Sequence, residues 1–268
     1  MPPPGGTPGH LMPEPGPAAR PDEPLSVLSH LEELRSRLVK ASLATLVGFG
    51  ICYWQIVPIF HWIVKPLRAV APDSPLVMLK LTEAFMTYLK LALWSGLLVA
   101  SPVVLYQIWA FIAPGLYRHE KRLIAPLVVA STVLFALGAA FTYYLVLPFA
   151  FKYLILEFAT GDVKATLSMS SYVSSTCIFM ATFGLIFQIP LLMMVLARLG
   201  IIKGTALARN RKYVLLGSFI LGAILSPPDI ISQSMVSVPL FLLFEVSIWI
   251  IRVQDLMKRR KTAAAPAG

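Results

Sequence analysis

The stretch Leu123-Ile-Ala-Pro-Leu-Val-Val-Ala-Ser-Thr-Val-Leu-Phe-Ala-Leu-Gly-Ala-Ala-Phe-Thr-Tyr-Tyr-Leu-Val-Leu-Pro-Phe-Ala-Phe151 contains no charged residue. It exceeds the roughly 20 apolar residues with which an α-helix crosses about 30 Å of hydrocarbon. Two further intervals, Leu91 to Tyr117 and Ala165 to Ala197, are equally free of charge. Ala41 to Val64 forms another after the basic cluster Arg35, Arg37 and Lys40, and Tyr213 to Pro228 and Ile230 to Ile251 complete the set, the last interrupted by Glu245. Lipid offers no partner for an open backbone, so only helices and closed barrels span it, and these runs lack the two-residue alternation of barrel strands. The expected fold is therefore an all-α integral membrane protein. Six transmembrane helices form a concave bundle, with the last two spans short.

Composition agrees. Of 268 residues, 57% are hydrophobic and 13% charged, against about a quarter charged in soluble domains. The net charge of +10 is unevenly placed. If the six spans alternate in direction, 17 of the 23 Lys and Arg fall on the side of the two termini and six on the other. The positive-inside rule then puts both termini in the cytoplasm. A nucleic-acid surface would need aromatic or glycine-rich motifs that this sequence lacks.

Three regions are expected. Residues 1–25 form a disordered tail, since the first 24 hold nine prolines and four glycines without an apolar period. Residues 26–252 form the membrane domain, and 253–268 a basic cytoplasmic tail. Within the domain, Leu28, Leu31, Leu34 and Leu38 recur at helical spacing, and Ser29-His-Leu-Glu32 fits a capping box. A surface helix over Ser26 to Lys40 is expected to lie on the cytoplasmic face before the chain turns in. Span one covers about Val39 to Val57, and a loop stiffened by Pro58, Pro66, Pro72 and Pro75 follows. Spans two to four run from about Ala84 to Ile112, Leu123 to Pro148 and Tyr172 to Leu196. From Tyr213 to Ser226 only about 21 Å of helix is available. Pro227-Pro228-Asp229 then turns the chain, and Ser232, Gln233, Ser234 and Ser237 dot the start of span six. Short spans thin the bilayer or let polar loops dip into it.

Acidic residues near the membrane are few, so each needs an account. Glu32 and Glu33 lie on the surface helix, Glu120 in the first cytoplasmic turn and Glu245 inside span six, where a carboxylate must face protein or water. Gln188 precedes Pro190 in span four, and an intramembrane amide there bonds within the bundle or lines a polar concavity. No metal-ligand, nucleotide-binding or nucleophile motif occurs, the four histidines are scattered, and no enzyme, metal or cofactor is expected. Cys52 and Cys177 lie in the outer halves of spans one and four, where a bridge is geometrically conceivable. They read as small buried apolar residues.

Several strings carry a family resemblance. His30-Leu-Glu-Glu-Leu-Arg-Ser-Arg37 resembles the motif that precedes span one in the TatC family, the large subunit of the twin-arginine protein translocase. Tyr106-Gln-Ile-Trp-Ala-Phe-Ile-Ala-Pro-Gly-Leu-Tyr-Arg-His-Glu-Lys-Arg122 resembles that family's first cytoplasmic loop. Leu225-Ser-Pro-Pro-Asp-Ile-Ile-Ser-Gln233 and Leu243-Phe-Glu-Val246 resemble its last outer turn and last span. The resemblance covers about Ser26 to Arg252.

It implies a multi-pass protein of the bacterial cytoplasmic (inner) membrane that receives signal peptides carrying two adjacent arginines on folded cargo. By motif, Glu33 and Glu120 recognise the arginine pair, with Arg35, Arg37, Phe111 and Tyr117 in the same binding surface. Read locally, Glu33 is also placed to pair with Arg37 one turn on, and Glu120 with its basic neighbours. The resemblance further implies single-span TatA/TatB-type partner subunits, one docking near spans five and six. Assembly as a homo-oligomer within a complex and energy from the proton gradient also follow from it. At Gln188 the family often has an acid, so a titrating role there does not carry over. A secondary transporter of a small solute is the alternative, for which inverted repeats would be expected.

Overall fold

The structure is a computed structural model that describes residues 27–72, 75–112, 124–158, 167–202, 209–225 and 230–263. The tail 1–25, Tyr117 and Glu120, and Pro227, Pro228 and Asp229 lie outside the described residues. Nine α-helices are found among the described residues: α1 Val27–Trp54, α2 Ile56–Val70, α3 Glu83–Ile112, α4 Ile124–Phe141, α5 Leu147–Phe158, α6 Met169–Ile186, α7 Ile189–Arg198, α8 Arg211–Leu225 and α9 Ile230–Ala263. A π-helical turn, Thr142–Val146, joins α4 to α5. Two strands of two residues, β1 Leu76–Val77 and β2 Leu167–Ser168, pair in parallel with Leu76 opposite Leu167.

Four stretches are long and apolar enough to cross a bilayer: α3, Ala125–Tyr153, Met169–Ala197 and Gln233–Val253. The pair α1 and α2 makes a fifth, bent by 84° at its break. The exposed faces of these helices are apolar, as with Leu43, Leu46, Val47 and Ile51 on α1, which suits contact with lipid chains. α8, at 15 residues, rises about 22 Å and is the short one. α9 is long, at 34 residues. Its polar start stays helical because α8 supplies acceptors. The Gln233 amide donates to the Phe219 carbonyl at 2.9 Å, and the Ser237 hydroxyl lies 3.0 Å from the Ser218 carbonyl. Shortness is thus confined to α8, and α9 continues past residue 252 to Ala263.

Two further expectations differ from what is found. No break separates a surface helix from span one, because α1 is one helix from Val27 to Trp54. Leucines at helical spacing continue directly into the apolar run without a helix-breaking residue between them. The proline-bearing stretch after it is helix α2. Pro58 falls in the first turn, where backbone N–H groups have no in-helix acceptor anyway. Pro66 lies inside the helix and leaves the Trp62 carbonyl without its donor. The Tyr143 hydroxyl donates to that carbonyl at 2.7 Å, and the Trp62 and Tyr143 rings stack 4.0 Å apart. Tyr172 donates likewise to the Ile63 carbonyl at 2.8 Å.

Helix α1 packs tightly on α3 through small residues. A Cβ on Gly48 would lie 2.5 Å from the Gly96 carbonyl oxygen, so glycine is what allows the two backbones to touch. Gly138 on α4 plays the same part against the Phe183 carbonyl of α6. The main core joins α2, α3, the α4–α5 segment and α6 around Leu67, Leu91, Tyr143, Tyr172 and Val173. Cys177 is in it, and Cys52 is buried separately; both are free thiols. Pro190, at the second position of α7, cannot donate to the Ile186 carbonyl, and α6 ends there.

Candidate functional site

Helices alternate in direction, so the start of α1 and the end of α3 share one end of the bundle. They are joined there by a ring contact, His30 stacked on Phe111 at 4.5 Å between centroids. One turn along α1 from His30, on the same face, stands Glu33. Arg37, a turn further, donates to Glu33 Oε1 from Nε at 3.0 Å and from Nη2 at 2.5 Å. The two side chains keep 31% and 22% of their exposure, so the pair is wet and reachable. Arg35 is exposed and belongs to neither ion pair formed among the described residues. The arrangement brings Glu33, Arg37 and Phe111 together and leaves Arg35 apart.

Gln188 sits in the break between α6 and α7. Its Nε2 donates to the Ser131 carbonyl at 3.0 Å, and its Oε1 accepts from the Ser131 hydroxyl. That hydroxyl in turn accepts from the Trp109 indole N–H at 3.0 Å. One polar chain therefore ties α3, α4 and the α6–α7 break inside an apolar packing of Leu105, Phe135, Leu191 and Val195. Sequence reasoning found Gln188 as a lone amide and missed Trp109 and Ser131. A serine and a tryptophan within charge-free spans were the available signal.

Glu245 on α9 is paired. Arg211 Nη2, from the first residue of α8, lies 2.9 Å from Glu245 Oε2. The pair meets the cost of a carboxylate within a membrane helix by local neutralisation, and it holds the start of α8 against α9. Arg211 Nε is buried with no hydrogen-bond partner.

A fourth polar cluster was not anticipated. Glu83, at the start of α3, is buried. Its Oε2 accepts from the Leu79 and Lys80 backbone N–H groups at 2.5 and 3.3 Å. Its Oε1 accepts from the Ser168 hydroxyl at 2.5 Å and the Ser170 N–H at 2.9 Å. Ser168 also caps α6 by accepting from the Ser171 N–H. One carboxylate thus binds the segment before α3 to the segment before α6, at the end of the bundle opposite Glu33. Among the described residues no group of three or more His, Cys, Asp or Glu is arranged to hold a metal.

Comparison with known proteins bears on the chain as a whole. Residues 29–239 match the family described as Sec-independent protein translocase protein (TatC). The TatC protein of Escherichia coli is 37% identical over 227 residues, which is 84% of this chain and 88% of that one. The TatC protein of Aquifex aeolicus is 38% identical over 236 residues, 88% of this chain and 98% of the other. Among solved structures, a crystal structure of the twin arginine translocase receptor TatC superposes with a TM-score of 0.75 at 39% identity, covering 84% of this chain and 98% of that one. A second, in the detergent DDM, gives 0.76 at 40% identity, covering 82% and 98%.

Proposed function

This chain belongs to the TatC family of Sec-independent protein translocase proteins, and from that premise we propose that it receives twin-arginine signal peptides on folded cargo. It is a multi-pass bacterial membrane protein and a translocase component that works with other components of that system. In the proposed reading both termini face the cytoplasm across the inner membrane, and the end of the bundle bearing Glu33 faces the arriving signal.

The observation that carries the reading is Glu33, in a half-exposed pair with Arg37 beside the His30–Phe111 stack. An i,i+4 pair of this kind is worth about 0.2–0.5 kcal/mol. An incoming guanidinium therefore displaces Arg37 at small cost and takes over a carboxylate already in place. Glu120, by its motif, supplies the second carboxylate, and Tyr117 lies in the same loop. Each charged hydrogen bond contributes about 1.5–3 kcal/mol, while micromolar binding needs about 8 kcal/mol. Two carboxylates thus provide part of the affinity, and packing of the signal's apolar stretch on the bundle provides the rest. A planar fork accepted by carboxylate oxygens favours arginine over lysine. The solved relatives described as receptors support the same reading.

Single-span TatA/TatB-type subunits dock near α8 and α9, where the 15-residue helix α8 is shorter than the hydrocarbon and thins it. Pro227, Pro228 and Asp229 lie between these helices in the sequence. Several copies assemble in one complex, and the proton gradient drives transport. The small-solute transporter is not favoured, since the relatives are translocase proteins. Cross-linking of a twin-arginine signal peptide to the protein, with Glu120→Ala and Glu33→Gln variants, tests the receptor role. Loss of labelling in both supports it, and unchanged labelling refutes it.

A further inference from the structure

Beneath α2, in the half of the bundle away from Glu33, lies a shallow concavity lined by Ile59 and Trp62 of α2, Trp94 and Leu98 of α3, Phe135 of α4 and Met180 of α6. Among the side chains that line it, those with a polar group are Ser95, Trp62, Trp94 and Cys177. Lys90 stands one turn from Trp94 on α3. It is exposed and belongs to neither ion pair formed among the described residues. We propose that this is a phospholipid site, with one acyl chain in the concavity and the lipid phosphate on the Lys90 ammonium.

Depth supports the assignment. At 30 residues, α3 is about 45 Å long, about 15 Å more than the hydrocarbon core. With that helix centred, the Lys90 backbone lies about 11 Å from the midplane, about 4 Å inside the boundary between headgroups and chains, and Leu91 to Leu98 lie deeper in the same leaflet. Side chains on a helix lean toward its amino terminus, so the Lys90 stem runs toward the headgroups and its ammonium reaches phosphate level. Trp94 and the cavity floor follow a turn deeper, where the chain of the same lipid would lie.

The chemistry of the lining selects the occupant. Water needs two to four polar partners to stay in a cavity, and these walls do not converge such groups. A flexible hydrocarbon chain lying along the groove fits the apolar lining. The Lys90 charge complements the phosphate that every phospholipid carries at that depth.

The test uses the whole protein reconstituted in vesicles of phosphatidylethanolamine and phosphatidylglycerol containing a phospholipid with a photoactivatable diazirine on its acyl chain. After irradiation, peptide mass spectrometry should find adducts on 59–63, 91–98 and 177–181 at least fivefold above those on Leu43 and Val47, which face lipid on α1. Ala181→Leu, which fills the concavity, should remove that excess, and Ser95→Leu should do the same from α3. Lys90→Gln should reduce it severalfold. Uniform labelling, or an excess unchanged by all three variants, would overturn the site. So would a benzophenone at position 98 that cross-links to another protein chain and not to lipid.

Discussion

The Tyr143 hydroxyl occupies the hydrogen-bonding place that Pro66 leaves vacant on the Trp62 carbonyl, 2.7 Å away. A proline inside α2 should cost that helix a bond. Here a tyrosine from the π-helical turn Thr142–Val146 makes up for it and stacks on the Trp62 ring. Helix α2 is thereby fixed to the α4–α5 segment, and with it the roof of the apolar concavity. The π turn belongs to this device, since the widened helix carries Tyr143 at the α2 contact.

Tyr143→Phe keeps the stacked ring and removes the donor. It should destabilise the protein by about 1–3 kcal/mol, the cost of an orphaned buried acceptor. In a Pro66→Ala background the helix supplies its own N–H, and the same change should cost markedly less. Thermal unfolding midpoints of the four proteins in one detergent give the coupling directly.

The α1–α3 crossing predicts opposite outcomes at two nearby glycines. Gly48→Val drives a side chain into the Gly96 backbone, with its Cβ 2.5 Å from that carbonyl oxygen. It should cost about 1–3 kcal/mol or more. A Cβ on Gly50 would meet nothing within 4 Å, so Gly50→Ala should leave stability unchanged or raise it by up to about 1 kcal/mol. Equal effects at both positions would contradict the packing.

Gln188→Leu removes a donor and an acceptor from the chain Trp109–Ser131–Gln188. Hydrogen bonds between membrane helices are worth about 0.6 kcal/mol on average and up to about 1.7, so a loss in that range per bond is expected. Adding Ser131→Ala should then cost less than in the intact protein, because one of the two partners of its hydroxyl is already gone while the Trp109 indole remains. Additive losses in the thermal midpoint would contradict a connected network.

The long apolar spans are legible because charge spacing is a local property of the chain. Glu33 with Arg37 is legible for the same reason, being four residues apart on one helix. Glu83 is not, because its partner Ser168 is 85 residues away and nothing in either neighbourhood announces the other. Helix α2 reads as a loop in the sequence because its prolines signal a break. What allows it to be helical is a hydroxyl 81 residues distant. Gln188 draws notice as an amide in an apolar run, but Ser131 and Trp109 are ordinary in such runs until the fold joins them.

Arg37 is a built-in competitor for Glu33. Arg37→Gln should therefore tighten binding of a twin-arginine signal peptide by about twofold, matching a pair worth about 0.2–0.5 kcal/mol. Fluorescence titration of a labelled signal peptide against the purified protein reads this. A weakening of tenfold would show instead that Arg37 holds Glu33 in position for the ligand.

The receptor role is tested most directly by binding of matched signal peptides carrying Arg-Arg or Lys-Lys to the intact protein, to Glu33→Gln and to Glu120→Gln. The account predicts that the intact protein prefers Arg-Arg by at least tenfold and that each variant loses most of that preference. Equal binding of the two peptides to the intact protein, or a preference unchanged in both variants, would contradict it.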